Sequence, residues 1–283
     1  MVSPAARRAA VTMAQERFGI SQRRACLIVG AHRSTHRRKV PFHSEEEFLR
    51  RRIRTMALRY PRYGYRRIHA ILIREGYLIN RKRVQRLWRL EGLHVPVRKA
   101  RKPRKRRNPW AVKASYPHHV WAIDFQFDET ADGRPVKILN VSDEFTRQSL
   151  ACAASRSLTA ATTVAILDHI RGEMGHTPAY LRMDNGPEFI AELLQDWCTD
   201  SQIKTTYIDP GSPWQNGYIE SFNSRLRDEL LSREIFDSMW EIRMMLEDHR
   251  QNYNHYRPHS SLGYLTPVEF AKRWQRDNKL LVS

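Results

Sequence analysis

Asp124, Asp184 and Glu220 are the residues of this 283-residue chain whose types and spacing could do chemistry. Asp124 interrupts an apolar run, His119-Val120-Trp121-Ala122-Ile123-Asp124-Phe125-Gln126-Phe127, that reads as a buried strand. Asp184 closes a second short strand, Ala179-Tyr180-Leu181-Arg182-Met183-Asp184, ahead of Asn185-Gly186-Pro187-Glu188-Phe189. Glu220 falls in the first turns of a helix that follows Pro210-Gly211-Ser212-Pro213-Trp214-Gln215-Asn216-Gly217. An ionised carboxylate in or beside a hydrophobic strand is costly unless it is paired or bound to metal. Two strand ends and one helix can gather three such groups into an acidic nest of oxygen ligands for hard divalent cations. That is the usual apparatus of in-line phosphodiester chemistry. Singly, each acid reads as an exposed or helix-capping group; the three contexts together point to cutting or joining nucleic acid. Asp128, Asp143, Glu188 and Asp209 are weaker candidates. Asp143 is expected to order a strand turn through Arg147, and Glu188 to be a first-turn helix acid.

The surroundings of Glu220 sharpen the reading. Asn216 is expected to be the N-cap four residues before it, where the helix dipole and free N–H groups favour an ionised acid. Arg227, seven residues after Glu220, falls on the same helix face, placed to hold a phosphate. Ile219, Phe222, Leu226 and Leu230 form the stripe that would be buried. Asn216 and Arg227 are therefore candidate DNA contacts. Trp214 could insert against DNA or pack into the core, and Gly186 and Gly217 suit turns or close backbone approach.

Charge is distributed unevenly. Of 49 Lys and Arg, 32 lie before position 115, with only six of the 30 acids, so that part carries +26 and the remainder −7. A basic half alone could mean a ribosome, a membrane surface or nucleic acid; joined to a carboxylate trio it favours nucleic acid, and the resemblance given below makes that double-stranded DNA. The longest uncharged runs, such as Ser157–Leu167, fall far short of the ~20 apolar residues a membrane span needs, and no secretory leader is read. An intracellular location is expected. Cys26, Cys152 and Cys198 are scattered with no CxxC pair, so neither a disulfide framework nor a zinc knuckle is expected.

The elements that must position these groups can be traced along the chain. One helix runs to Phe18 and stops at Gly19; another starts after Ser21 as N-cap and ends near Val29, before Gly30. A helix from Ser44, with Glu47 completing a capping box, turns Leu49, Ile53, Met56 and Ala57 inward and ends at Tyr60-Pro61. Tyr65–Glu75 and Arg81–Glu91 then make a helix-turn-helix, with a turn at Gly76 and Asn80 as N-cap of the second helix. That second helix buries Val84, Leu87 and Trp88 and shows Arg81, Lys82, Arg83, Gln85, Arg86 and Arg89, which become the candidate groove-reading residues. A solvated basic face on a small bundle is the plainer alternative. Eight of the ten residues 98–107 are Lys or Arg, which predicts an extended linker along phosphates. From His118 the pattern becomes strands 119–128, 136–142 and 149–155, helix 160–172, strand 179–184, helix 187–201, strand 204–208 and the Glu220 helix.

Three meandering strands followed by helix, strand, helix, strand and helix resemble the ribonuclease H-like order: an α/β, mixed five-stranded sheet flanked by helices, here preceded by all-α helix-turn-helix units. The motifs resemble the DDE transposases of the insertion-sequence-three type, specifically the product of the second reading frame, which are relatives of retroviral integrases. The matching segments are Trp121–Asp124, Asp143–Arg147, Arg182–Phe189, Gly211–Asn223, Tyr253–Tyr264 and, upstream, Arg62–Ile68. Unlike retroviral integrases, the N-terminal region lacks a His-His-Cys-Cys site, so zinc is not implied.

What the resemblance implies is specific. The first strand should be central with the fourth beside it, which sets Asp124 next to Asp184. Asp124 should bridge two Mg²⁺ ions, with Mn²⁺ a workable substitute, Asp184 holding one and Glu220 the other. The expected activity is 3′-end cleavage and strand transfer of an insertion sequence, carried out by a homo-oligomer on DNA in the bacterial cytoplasm, at the nucleoid. A partner from the upstream reading frame, fused by frameshifting, is also expected. The expected divisions are an N-terminal helix-turn-helix-like segment at 1–40, a DNA-binding helix-turn-helix at 44–94, a basic linker at 95–115, the catalytic core at 116–235 and a helical extension at 236–283. A structure-specific ribonuclease H-like nuclease would share the acids without needing the end-reading units. A DNA-binding regulator with an idle core would have lost an acid, and none is lost.

Overall fold

The computed structural model describes residues 4–37, 44–95, 112–184, 186, 191–207 and 216–279. The basic run 98–107, Glu188, Asp209 and Trp214 lie outside them. Clustering of backbone contacts divides the chain into two compact units, Met1–Arg52 and Ile53–Ser283.

The first unit holds α1 (Pro4–Phe18), α2 (Gln22–Val29) and α3 (Arg33–Arg37). Ser21 caps α2 by accepting from Arg24 N at 3.4 Å, and Gly30 ends it in the left-handed region at φ 66°. Val11, Ala14, Ala25 and Cys26 form its small core. Helix α4 (Ser44–Arg59) begins at Ser44 itself, and Glu47 pairs forward with Arg50 at 3.3 Å and Arg51 at 3.5 Å.

In the second unit, α5 (Tyr65–Arg74) and α6 (Arg81–Leu90) pack together through Ile68, Leu72, Val84 and Leu87, all fully buried. Gly76, at φ 89°, makes the turn between them. The sheet comprises β1 (Val120–Glu129), β2 (Pro135–Asp143), β3 (Ser149–Ser155), β4 (Tyr180–Met183) and β5 (Lys204–Tyr207), in the order β3-β2-β1-β4-β5. Strands β1, β2 and β3 are antiparallel neighbours, while β4 runs parallel to both β1 and β5. This is the mixed sheet expected, with β1 central and β4 beside it.

Period-two alternation assigns the two faces. Trp121 and Ile123 of β1, with Leu139 and Val141 of β2, pack into the core under α7 (Ala160–Met174) and α8 (Glu192–Asp200). Ala122 and Ile138 face the opposite core, built with α9 (Gly217–Leu226) and α10 (Met239–His255). Asp124, Gln126 and Asn140 share that second parity, so the sheet directs them at α9. Immediately after α9 the chain adopts a π-helical turn, Arg227–Leu231, and α11 (Pro267–Lys279) ends the described fold.

Edge strand β3 does not stand open. Asn254 of α10 accepts from Ser149 N at 2.9 Å and donates to Ser149 O at 2.8 Å, while Arg243 Nε donates to Ala154 O at 2.9 Å. These bonds occupy an edge that could otherwise pair with another chain. Helix α5 is tied to the C-terminal helices through Arg74, which donates to Tyr256 O at 2.9 Å and pairs with Glu269 at 3.3 Å.

Candidate active site and DNA-binding helix

The parallel ladder between β1 and β4 pairs Ala122 with Arg182, and Asp124 and Asp184 stand two residues further along each strand. Asp124 is half-buried and Asp184 exposed; Glu220 is half-buried in the first turn of α9. Burial first, then the charge of Asp184, and in smaller part that of Glu220, raise the Asp124 carboxyl to about 7. Hydrogen bonds from Phe125 N and the Asn223 amide oppose the rise. The three expected acids are thus brought within electrostatic reach of one another. Among the described residues they are not drawn into a closed group of three ligands.

A network of three polar side chains holds Asp124 in place, and sequence reasoning gave none of them a role. Asn223 Nδ2 donates to Asp124 Oδ2 at 2.8 Å. Asn223 Oδ1 accepts from Asn140 Nδ2, also at 2.8 Å, and Asn140 Nδ2 lies 3.3 Å from Gln126 Oε1. Gln126 Nε2 returns to Asn223 O at 3.2 Å. The signal was there in outline: Asn223 lies three residues after Glu220 on one helix face, and Asn140 interrupts an apolar strand. Arg182, two residues before Asp184, is buried against Glu144 at 2.6 Å and also donates to Val112 O, which anchors the strand delivering Asp184. Asp184 Oδ1 accepts from Gly186 N at 3.0 Å.

Other expectations need correcting in detail. Asn216 occupies the N-cap position of α9, but its side chain makes no capping bond. It is buried, and its Oδ1 has no partner among the described residues. Arg227 pairs with Asp128 of β1 at 3.3 Å and donates to Phe127 O, so its guanidinium is engaged within the protein. Asp143 orders the β2–β3 turn, though not through the Arg147 side chain: it accepts from Phe145 N at 3.2 Å, Thr146 N at 3.1 Å and Thr146 Oγ1 at 2.5 Å. Arg147 instead lies over the Tyr218 ring at 3.5 Å.

Helix α6 matches its reading closely. Asn80 caps it by accepting from Lys82 N at 2.8 Å, and Val84, Leu87 and Trp88 are buried. Arg81, Lys82, Arg86 and Arg89 are exposed, while Arg83 and Gln85 flank Val84 and are half-buried. No described helix is long and apolar enough to cross a membrane.

Comparison with known proteins places these features in context. Residues 114–213 and 201–267 match the integrase core domain, and residues 43–101 match an HTH-like domain. An uncharacterised 31.7 kDa protein of insertion element IS407 from Burkholderia multivorans is 38% identical over 92% of this chain and 93% of its own. A 39.2 kDa protein of IS476 from Xanthomonas euvesicatoria is 36% identical over 97% of this chain and 79% of its own. Transposase InsD of insertion element IS2 from Escherichia coli is 26% identical over 82% of this chain and 80% of its own. In fold, a chain of the simian T-cell lymphotropic virus intasome is similar at a TM-score of 0.50 and 17% identity, covering 69% of this chain and 67% of that one. An integrase core carrying these acids, and identity to insertion-element proteins along almost the whole length, lead to one conclusion: the chain belongs to the DDE transposases of the insertion-sequence-three type, polynucleotidyl transferases that act on DNA.

Proposed function

We propose that Asp124, Asp184 and Glu220 are the catalytic acids, and that the chain performs both 3′-end cleavage and strand transfer of an insertion sequence. The observation that carries this is the placement of the acids: Asp124 and Asp184 stand two residues past the paired Ala122 and Arg182 on adjacent strands, and Glu220 lies in the first turn of α9, near enough that both add to the burial that raises the Asp124 carboxyl. An all-oxygen donor set under mutual repulsion fits Mg²⁺, with Mn²⁺ as a substitute. When bound, such ions neutralise charge at a scissile phosphate and acidify a coordinated water. The chain's own part is to fix the acids. Asn223 holds one oxygen of Asp124, and the Arg182–Glu144 pair anchors the strand that ends at Asp184.

Two in-line displacements follow. Water first cleaves a phosphodiester at the element end and releases a 3′-hydroxyl. That hydroxyl then attacks a target phosphodiester, forming one P–O bond as another breaks, so no covalent enzyme intermediate is needed. Helix α6 is proposed to read the element ends through Arg81, Lys82, Arg83, Gln85, Arg86 and Arg89, with Asn216 and Arg227 near the reacting strand. The proposed divisions remain 1–40, 44–94, 95–115, 116–235 and 236–283, with the basic linker following phosphates. Synapsis of two ends calls for an oligomer, and the upstream-frame product is proposed as a partner in the bacterial cytoplasm.

A pre-cut end bearing a 3′-hydroxyl, incubated with this chain or its frameshift fusion, Mg²⁺ and plasmid, is expected to give covalently joined product. A 3′-deoxy end is expected to give none. Hydrolysis without joining, in both forms and with both metals, would replace the transposition mechanism with a simple nuclease.

A further inference from the structure

The turn from β2 to β3 lies beside the start of β1, where Glu144 N donates to Val120 O at 3.0 Å. Asp143 and Thr146 are fully buried in it, and Arg147 N donates to Asp143 O at 2.9 Å. Arg147 nevertheless holds φ at 68°, in the left-handed region. That conformation favours glycine or asparagine over a long side chain. An arginine placed there is kept for its guanidinium.

That guanidinium lies over the Tyr218 ring at 3.5 Å, well inside the ~6 Å within which a cation and a ring face attract. Tyr218 stands in the first turn of α9, two residues before Glu220. The turn lacks its usual fastening, since Asn216 at the N-cap makes no side-chain capping bond. Packing of Ile219 and Phe222 seats α9 on the sheet, but apolar burial is non-directional. At about 100° per residue, Glu220 and Asn223 share one face of α9 while Tyr218 points away from it. Asn223 bonds Asp124 on the first face, and Arg147 bears on the second. Arg147 also lies in the field of Glu144. Burial raises the Glu144 carboxyl to about 7, against the opposing charges of Arg182 and then Arg147. Glu144 Oε1 accepts from Arg182 Nη1 at 2.6 Å. Its Oε2 and Arg147 Nη1 are both buried without a hydrogen-bond partner among the described residues. Arg182 in turn lies on β4, two residues before Asp184.

We propose that Arg147 is a positioning residue for the reaction: held in the field of Glu144 and stacked on Tyr218, it braces the first turn of α9 and sets the stance of Glu220 toward Asp184. The brace runs from Arg182 through Glu144 and Arg147 to Tyr218, from the strand of one acid to the helix of another. It rests on the reading of Glu220 as a catalytic acid. Its effect is on where a metal-binding carboxylate stands, not on how DNA is gripped.

The test compares Arg147→Gly, Tyr218→Leu, Tyr218→Phe and the Arg147→Gly/Tyr218→Leu double variant with wild type. Glycine relaxes the positive φ, so Arg147→Gly is expected to stay folded by circular dichroism and to bind end DNA as before. Its joining is nevertheless expected to fall roughly tenfold or more, the scale seen for groups that orient metal ligands. More Mn²⁺ should be needed to fill the site, read by electron paramagnetic resonance on the unreactive complex with a 3′-deoxy end. Tyr218→Leu is expected to lose as much, and Tyr218→Phe, which keeps the ring face, to retain joining. The double variant should be no worse than either single one, because both break one contact. Wild-type joining and Mn²⁺ affinity in Arg147→Gly would overturn the proposal, as would losses that multiply in the double variant. If Arg147→Gly unfolds, the two Tyr218 variants decide: equal losses in Phe and Leu would exclude the stack. Glu220→Gln is run alongside. If it is dead while Arg147→Gly joins normally, the brace alone falls; if it joins normally, the catalytic reading of Glu220 falls and takes the brace with it.

Discussion

Asn223 touches Asp124 directly, and its own amide is fixed by Asn140, so the proposed catalytic acid is oriented through two neutral side chains. Replacing Asn223 with Ala leaves the charge of the trio unchanged but frees Asp124 to rotate. Losses of supporting groups behind metal ligands run ~10–100-fold in affinity or activity. Strand transfer by Asn223→Ala is expected to fall by that much, with a raised Mg²⁺ requirement seen in a metal titration; an unaltered titration would rule out the positioning role. Asp124→Asn, Asp184→Asn and Glu220→Gln keep shape while removing a ligand charge, so each is expected to abolish cleavage and joining without loosening end binding. A gel-shift assay beside a joining assay checks both halves. If any one of them joins DNA near-normally in Mg²⁺, that acid is wrongly assigned.

At the scale of elements, the Glu229–Arg257 pair joins the π turn to the segment after α10, with the Arg257 guanidinium 5.7 Å from the Tyr63 ring. Removing one partner of a buried pair costs about 3–5 kcal/mol. Glu229→Gln is thus expected to lower the melting temperature by roughly 6–20 °C, at about 2–4 °C per kcal/mol in a unit of this size. Burial pushes the Glu229 carboxyl up, but the hydrogen bonds and charge of Arg257, helped by Arg67, prevail and hold it below its ordinary value. A depressed carboxylate stabilises the fold above its unfolded pKa of ~4.3 and ceases to do so as pH falls through the folded value. The gap between wild type and Glu229→Gln should therefore be full at neutral pH and close in acid, which denaturant melts at several pH values will check. In α6, Arg86→Ala is expected to cost about 1–3 kcal/mol on the cognate end and less on random duplex; equal losses would make it a phosphate contact. The helices and strands were legible because apolar periodicity fixes them locally: β1 from its hydrophobic run, α6 from Val84, Leu87 and Trp88. The candidate acids were singled out because a charge in or beside an apolar strand demands a reason, and the structure brings all three within electrostatic reach. The Asn140–Asn223 bond was not, since it spans 83 positions and neither position in its own element names the other as partner. Nor was the pairing of Arg227 with Asp128, 99 positions away, or the π turn that starts there, because a single extra residue in a helical turn carries no periodic mark.

For the whole molecule, the +26 segment before position 115 and the −7 remainder set how the chain meets DNA. Neutralising ~6–10 phosphates would cost roughly 10³–10⁵ in affinity between about 50 and 200 mM salt. A salt titration of the full chain on duplex is expected to show that steepness, and a shallow slope would place the grip outside the basic half. Helix α5 is not freely hung: Arg62, just before it, donates to Asp228 O at 3.3 Å and Arg74, at its end, to Tyr256 O at 2.9 Å, so it is tied to the C-terminal part of the same unit. The bonds of Asn254 to β3 and of Arg257 to Glu229 carry a genetic consequence. A stop codon near position 250 leaves all three acids encoded, yet deletes the side chains that close the sheet edge and neutralise a buried carboxylate. An element copy can therefore decay into silence through the codons after position 250 while the three proposed catalytic acids still read as intact.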